Sequence, residues 1–225
     1  REVPDYAYFG IQTLRAQDNF YISGEPLHRY PELIFALAQV KKAAAMANAD
    51  CGVITALQKK SICEACDELL KGKLHQQFTL DMLQGGAGTS TNMNANEVIA
   101  NRALELMGYQ RGDYQHCHPN NHVNASQSTN DAYPTALHLA ILHASNYLCE
   151  ELAMLTKAFE QKAAQFNHII KMGRTQLQDA VPMTLGQEFQ AFSRSINSEV
   201  GTLIEGQKAL NGVNMGGTAI GTGLN

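Results

Sequence analysis

Tryptophan is missing from this 225-residue sequence, only 7% of its residues are aromatic, and no basic run exceeds the pairs Lys41–Lys42 and Lys59–Lys60. Without a basic stripe to follow a phosphate backbone, and with a net charge of −4, nucleic acid is excluded as a partner. No stretch approaches the roughly 18 consecutive apolar residues that span a bilayer, and no charged start leads into a short apolar run of the signal-peptide kind. The sequence reads as soluble and cytoplasmic, with no membrane partner.

Five cysteines are an odd number, which argues against a disulfide framework and for reduced thiols. Cys63 and Cys66 form a C-x-x-C pair, but no second pair completes a four-ligand zinc site. His116, Cys117, His118 and His122 cluster without regular helical or knuckle spacing, so no metal is assigned to them. There is no strand–helix–strand alternation and hence no nucleotide-binding sheet. The sequence opens on Arg1 without an initiator methionine and stops just after the glycine-rich Gly216, Gly217, Gly221 and Gly223, which suggests a truncated product.

What is present is helical periodicity, and the expected fold class is all-α. A chain of this length buries roughly 70–75% of its unfolded surface, enough for one or two cores. Pro31–Asp50 carries Leu33, Leu37, Val40, Ala44 and Ala47 at spacings of three and four, with Pro31 in a first turn and Gly52 as a stop. A second helix is expected over about Thr55–Lys71, with Leu57, Ile62, Leu69 and Leu70 apolar, and a third over about Asn94–Met107, closed by Gly108. From Asp131, read as an N-cap, a pattern of more than thirty residues runs to about Phe166. Another covers about Thr184–Leu210. Helices this long call for bundling, including with other subunits. Only short turns or a hairpin are expected near Tyr6–Phe20 and around His168–Asp179.

Three segments break the helical pattern with small polar residues. Gly85-Gly86-Ala87-Gly88-Thr89-Ser90-Thr91-Asn92-Met93-Asn94 runs into a helix, and glycines followed by hydroxyls and amides at a helix start suit a carboxylate. No lysine follows, so this is not a Walker loop. His118-Pro119-Asn120-Asn121-His122-Val123-Asn124-Ala125-Ser126-Gln127-Ser128-Thr129-Asn130-Asp131 is dense in short donors and acceptors and places Ser128, Thr129 and Asn130 at the positive end of a helix dipole. Lys171 to Glu188 forms a polar turn feeding the last long helix. Each set alone also suits ordinary capping; three of one kind favour a shared anion site.

The strings Gly-Ala-Gly-Thr-Ser-Thr-Asn-Met-Asn, Ser-Gln-Ser-Thr-Asn-Asp and Gly-Arg-Thr-Gln-Leu-Gln-Asp-Ala-Val-Pro-Met-Thr-Leu-Gly-Gln-Glu-Phe resemble the first two conserved regions of the aspartase and class II fumarase superfamily. The likeness extends from Val3-Pro4 to Gly223. Fumarases have Ser where Ala87 and Thr129 stand and Thr-His-Thr where Thr175-Gln176-Leu177 stands, so the resemblance is to the aspartase branch; argininosuccinate and adenylosuccinate lyases fit less well. Pro4-Asp5-Tyr6-Ala7 departs from the usual entry loop.

This resemblance implies an N-terminal lyase domain over 1–130 and part of a central helical bundle over 131–225. It also implies reversible anti elimination of ammonia from L-aspartate to fumarate through an enediolate. Thr89, Ser128, Thr129 and Asn130 would hold the substrate, Thr175 and Gln176 would come from a neighbouring subunit, Arg15 would meet a carboxylate, and His118 and Asn120 match a secondary anion site. The base would be a serine in Gly-Ser-Ser-x-x-Pro-x-Lys-x-Asn, a string these residues lack, so no catalytic residue is assigned and this stretch alone is expected to be inactive. No cofactor is required, activation by a divalent cation such as Mg2+ is left open, and family members are homotetramers acting on small molecules. A fumarase or a non-catalytic scaffold are the rival readings.

Overall fold

The computed structural model describes residues 2–224. Among the described residues six α-helices and one two-stranded antiparallel sheet are formed, in two compact units: one runs to Ile141 and takes the chain back from Val213, the other is Leu142–Gly212. The all-α expectation holds, the sheet being a single hairpin. Among the described residues no helix is long and apolar enough to cross a membrane.

The first unit is built on α1 (Ile11–Asn19), α2 (Pro31–Asp50), α3 (Ala56–Leu70), α4 (Thr89–Leu106) and the start of α5 (Thr129–Gln165). Helix α2 takes the anticipated bounds, with Pro31 at its start, where the missing N–H costs nothing, and Glu32 complementing the helix dipole. Thr55 and Gln58 form a capping box on α3. Helices α2, α3 and α4 pack in succession and bury Ile34, Leu37, Ile62, Leu69, Val98 and Leu104 essentially completely. Each such side chain contributes about 1.5–3 kcal/mol relative to exposure.

Three expectations are corrected in this unit. Tyr6–Phe20 is not a turn or hairpin: most of it is helix α1, whose N-cap Gly10 has no side chain to offer. The cap comes from Glu97 of α4, whose carboxylate accepts from the Gly10, Gln12 and Thr13 N–H groups at 2.8, 2.9 and 3.1 Å and from the Thr13 hydroxyl at 2.6 Å. Helix α4 begins at Thr89 rather than Asn94, because Gly88 adopts a left-handed conformation at its N-cap and lets the hydroxyl-rich run join the first turn. Helix α5 begins at Thr129, with Asp131 inside its first turn rather than capping it.

Helix α5 also contains Pro134, which cannot donate to the Asn130 carbonyl one turn back. The freed carbonyl accepts from the Asn214 side chain at 2.9 Å. Asp131 is fully buried and accepts from the Gly216 and Thr218 N–H groups at 3.1 and 2.9 Å. The glycine-rich segment after Val213 is thereby fastened to the first turn of α5.

The second unit contains the rest of α5, β1 (Ile170–Thr175), β2 (Gln178–Thr184) and α6 (Leu185–Ala209). The hairpin extends beyond the expected Asp179 to Thr184, with a bulge between Met172 and Arg174. Thr184 and Gln187 form the capping box of α6. Phe159, Phe166, Phe189 and Phe192 gather between α5 and α6 with ring centroids 5.4–6.0 Å apart. Gly186 permits the close approach, since a Cβ there would lie 2.4 Å from the Ala163 carbonyl oxygen. Much of the apolar periodicity stays uncovered: Leu148, Leu155, Phe192 and Ile204 are exposed, as are Leu57, Leu137 and Ile141 in the first unit.

Candidate active site

Two helix starts meet in the first unit. Ahead of α4, Gly86 and Gly88 take φ of +78° and +83°, and the Tyr133 ring of α5 lies so close to Gly88 that a Cβ there would come within 2.4 Å of it. Thr89 stands exposed in the first turn, at the positive end of the helix dipole. At α5, the Ser128 hydroxyl accepts from the Asn130 N–H at 3.2 Å while the Asp131 carboxylate accepts from the Ser128 N–H at 2.9 Å, a reciprocal cap. The two helices are joined by Asn92 of α4, whose Nδ2 donates to the Thr129 hydroxyl at 3.2 Å. Asn130 is exposed, and its side-chain amide donates to the Ala219 carbonyl at 2.7 Å, leaving Oδ1 as the end open to a ligand.

The remaining candidates are differently placed. Arg15 is exposed on α1 and forms no ion pair among the described residues. Thr175 and Gln176 belong to the second unit, at the hairpin tip. Gln176 and Leu177 both have positive φ, +51° and +63°, the conformation of a type I′ turn that normally employs Asn or Gly. Two non-glycine residues there cost about 1 kcal/mol each, and Leu177 is fully exposed. A strained, projecting tip is the kind of feature that persists for what it touches.

His118 caps a short π-helical turn, Pro119–Val123, and Asn120 is the second residue of that turn. His118 Nδ1 accepts from the Asn120 and Asn121 N–H groups at 3.0 and 3.3 Å, so that nitrogen carries no proton. The backbone N–H of His118 donates to His122 Nδ1 at 2.7 Å, and burial together with the neighbouring His118 ring lowers the His122 pKa. An anion at this turn has to displace the His118 ring from the two backbone donors it occupies.

Beneath the α5 start lies a buried polar scaffold. Lys41 of α2 is fully buried, and its ammonium donates to Asn124 Oδ1 at 2.8 Å and Gln127 Oε1 at 2.9 Å. Burial lowers its pKa to about 7, against smaller opposing effects of Cys66 and Asp131. Asn124 Oδ1 also accepts from Asn92 at 3.0 Å and Asn96 at 3.2 Å. Asn48 and Gln127 both donate to the Ala125 carbonyl. Between them Ser126 sits at φ +57°.

The family model described as Lyase matches residues 1–225. This chain is a member of the lyase family. It is 57% identical over 224 residues to an aspartate ammonia-lyase of Helicobacter pylori, covering 100% of this chain and 48% of that protein. Against the aspartate ammonia-lyase of Escherichia coli it is 54% identical over 226 residues, covering 100% and 47%. Among solved structures, a fumarate lyase:delta crystallin of Brucella melitensis superposes with a TM-score of 0.97 at 55% identity, over 100% of this chain and 49% of that one. A class II fumarase of Schistosoma mansoni superposes at 0.92 and 36%, over 99% and 47%. The chain spans about half the length of the relatives it matches, and the superfamily expected from its polar strings is the one found.

In this lyase the sequence exposes the hydroxyl and amide residues of the helix starts, and the structure brings Ser128, Thr129 and Asn130 together beside the α4 start that carries Thr89. Lys41 was passed over, and Asn92 and Asn124 stand in the polar segments without a role assigned to either. One signal for Lys41 was present: it lies four residues after Leu37 and eight after Leu33, on a face otherwise apolar.

Proposed function

We propose that the polypeptide containing this lyase sequence catalyses reversible anti elimination of ammonia from L-aspartate to give fumarate. The observation that carries the reading is the joining of two hydroxyl-bearing helix starts, Thr89 on α4 and Ser128–Asn130 on α5, through the Asn92–Thr129 hydrogen bond. The aspartate ammonia-lyases at 54–57% identity supply the leaving group.

Removing the C3 proton of aspartate puts a second negative charge on the adjacent carboxylate. Donors aimed at that charge lower the barrier, and each well-placed one is worth about 3 kcal/mol. Thr89 and Ser128 present hydroxyls where the helix dipoles already favour an anion, Thr129 adds a hydroxyl held by Asn92, and Asn130 turns its Oδ1 toward the substrate amino group. Gln176 offers a neutral amide where a fumarase has an imidazole, with Thr175 beside it, and both come from a neighbouring subunit at the projecting tip. Arg15, which forms no ion pair among the described residues, meets a substrate carboxylate. His118 and Asn120 form a secondary anion site of lower occupancy, because the His118 ring competes for its backbone donors.

In this reading residues 1–130 are the N-terminal lyase domain and residues from 131 onward belong to a central bundle. The protein is cytoplasmic and homotetrameric, and the uncovered apolar residues of α5 and α6 support self-association. The test is to supply the natural gene product with L-aspartate and with malate separately and to follow fumarate by its ultraviolet absorbance. Fumarate from aspartate alone supports the reading; fumarate from malate alone replaces it with a fumarase. The 225 residues alone, lacking the serine-loop string, are expected to give none, and turnover by them would refute that assignment of the base.

A further inference from the structure

We infer that Lys41 is a positioning residue for the substrate-binding turn Ser126–Asn130, acting through Asn124 and Asn92 on the Thr129 hydroxyl; the inference deepens the elimination reading above and rests on it.

The geometry is a continuous chain of hydrogen bonds. Lys41 Nζ donates to Asn124 Oδ1 and Gln127 Oε1, Asn92 donates to that same Asn124 oxygen and to Thr129 Oγ1, and Asn124 Nδ2 donates to the Gln127 carbonyl at 3.2 Å. Two residues that precede Ser128 and Thr129 are thus held by one ammonium. Ser126, between them, occupies a left-handed conformation that a non-glycine residue keeps only where its surroundings impose it. Asn92 and Asn96 both direct their Nδ2 groups to Asn124, and their own buried Oδ1 atoms have no partner among the described residues. A buried acceptor left unmade costs about 1–3 kcal/mol, so this arrangement favours geometry at the turn over local stability.

The charge has a second effect. A fully buried ammonium is unscreened, and the ionisable groups facing it are Cys66 from α3 and Asp131 from α5; the loop presents only the amides of Asn124 and Gln127. The Cys66 thiol is pushed far up by burial and stays neutral. Asp131 spends its oxygens on the N–H groups of Ser128, Gly216 and Thr218. The protonated lysine therefore biases the adjoining turn toward an anion, and because burial brings its titration to about 7, the bias fades as pH rises through neutrality.

The test uses the natural gene product and its Lys41→Met variant, with Asn124→Ala as the second variant should the first not fold. Amide hydrogen exchange of residues 124–130 reads the turn directly and does not depend on the substrate; both variants are expected to accelerate it about tenfold, with α3 amides unchanged. Turnover of L-aspartate is expected to show KM raised about tenfold with a smaller change in kcat, and the wild-type rise of KM above neutrality is expected to be lost in Lys41→Met. Exchange and KM both at wild-type values would overturn the positioning role, as would a KM–pH profile that survives Lys41→Met intact. Should the wild type turn over malate and not aspartate, the aspartase reading falls while the exchange measurement still decides the role of Lys41.

Discussion

Thr129 is where the two polar segments converge: its hydroxyl accepts from Asn92 of one helix while its backbone opens the next. Thr129→Val keeps the shape and removes the hydroxyl. Its expected effect is a loss of about 100-fold in kcat/KM for L-aspartate, typical of deleting one donor to a developing oxyanion, with melting temperature little altered. A loss under about threefold in steady-state assays would remove Thr129 from the site. At this scale the position of the hydroxyls was legible in the sequence, since hydroxyls and amides just ahead of long apolar periodicities mark helix starts, and Thr89 and Thr129 open α4 and α5. Lys41, Asn92 and Asn124 were not, because their roles depend on contacts between residues as far as 83 apart. Burial and shared acceptors give such residues their meaning, and neither is written in local pattern.

At the scale of elements, α2 was legible to the residue because Pro31 and the stop at Gly52 both agree with its apolar face. Helix α1 was not, and the reason is physical. Its mean apolar content is low, it has no cap of its own, and its N-terminal N–H groups are satisfied by Glu97, some 85 residues away in sequence. Glu97→Ala is accordingly expected to destabilise the fold by about 3 kcal/mol, since it strands buried donors and uncaps a helix at once. Urea unfolding followed by circular dichroism measures it, and Glu97→Gln, which keeps a neutral acceptor, should recover part of the loss. The start of α4 was misplaced for a related reason: a left-handed Gly88, made obligatory by the Tyr133 ring, turns a run that reads as loop into the first helical turn.

For the molecule as a whole, buried ionisable groups set how stability depends on pH. Lys41 has a folded pKa lowered to about 7, whereas an unfolded lysine titrates near 10.4. Between those values the unfolded chain holds more protons, so this residue makes stability rise with pH across that window. Below about 7 both states are protonated and the full cost of the buried charge, a few kcal/mol, is present. Urea midpoints from pH 7 to 10 should therefore climb more steeply for wild type than for Lys41→Met; parallel profiles would show that the ammonium is better solvated than its complete burial implies.

The uncovered faces of α5 and α6 carry the remaining consequence. Leu148, Leu155, Phe192 and Ile204 are each 42–48% exposed, and Tyr147 is 63% exposed. Each large side chain left in water forgoes about 1.5–3 kcal/mol that burial would supply. These residues belong to regular, well-capped helices, and α6 opens with the Thr184–Gln187 capping box, so their exposure does not come from a failure to form helix. In the homotetramer proposed above, association with further copies covers them, and the Gln176–Leu177 tip reaches a neighbouring subunit. The double substitution Leu148→Lys, Ile204→Lys places charge on both helices without entering the phenylalanine cluster that packs them. Sedimentation velocity should show a smaller species than wild type, far-ultraviolet circular dichroism should stay unchanged, and turnover of L-aspartate should fall by about 100-fold or more as the neighbouring Thr175 and Gln176 are withdrawn. Full activity in a dissociated protein would place Thr175 and Gln176 outside the catalytic site and leave Thr89 and Ser128–Asn130 as the groups that bind the substrate.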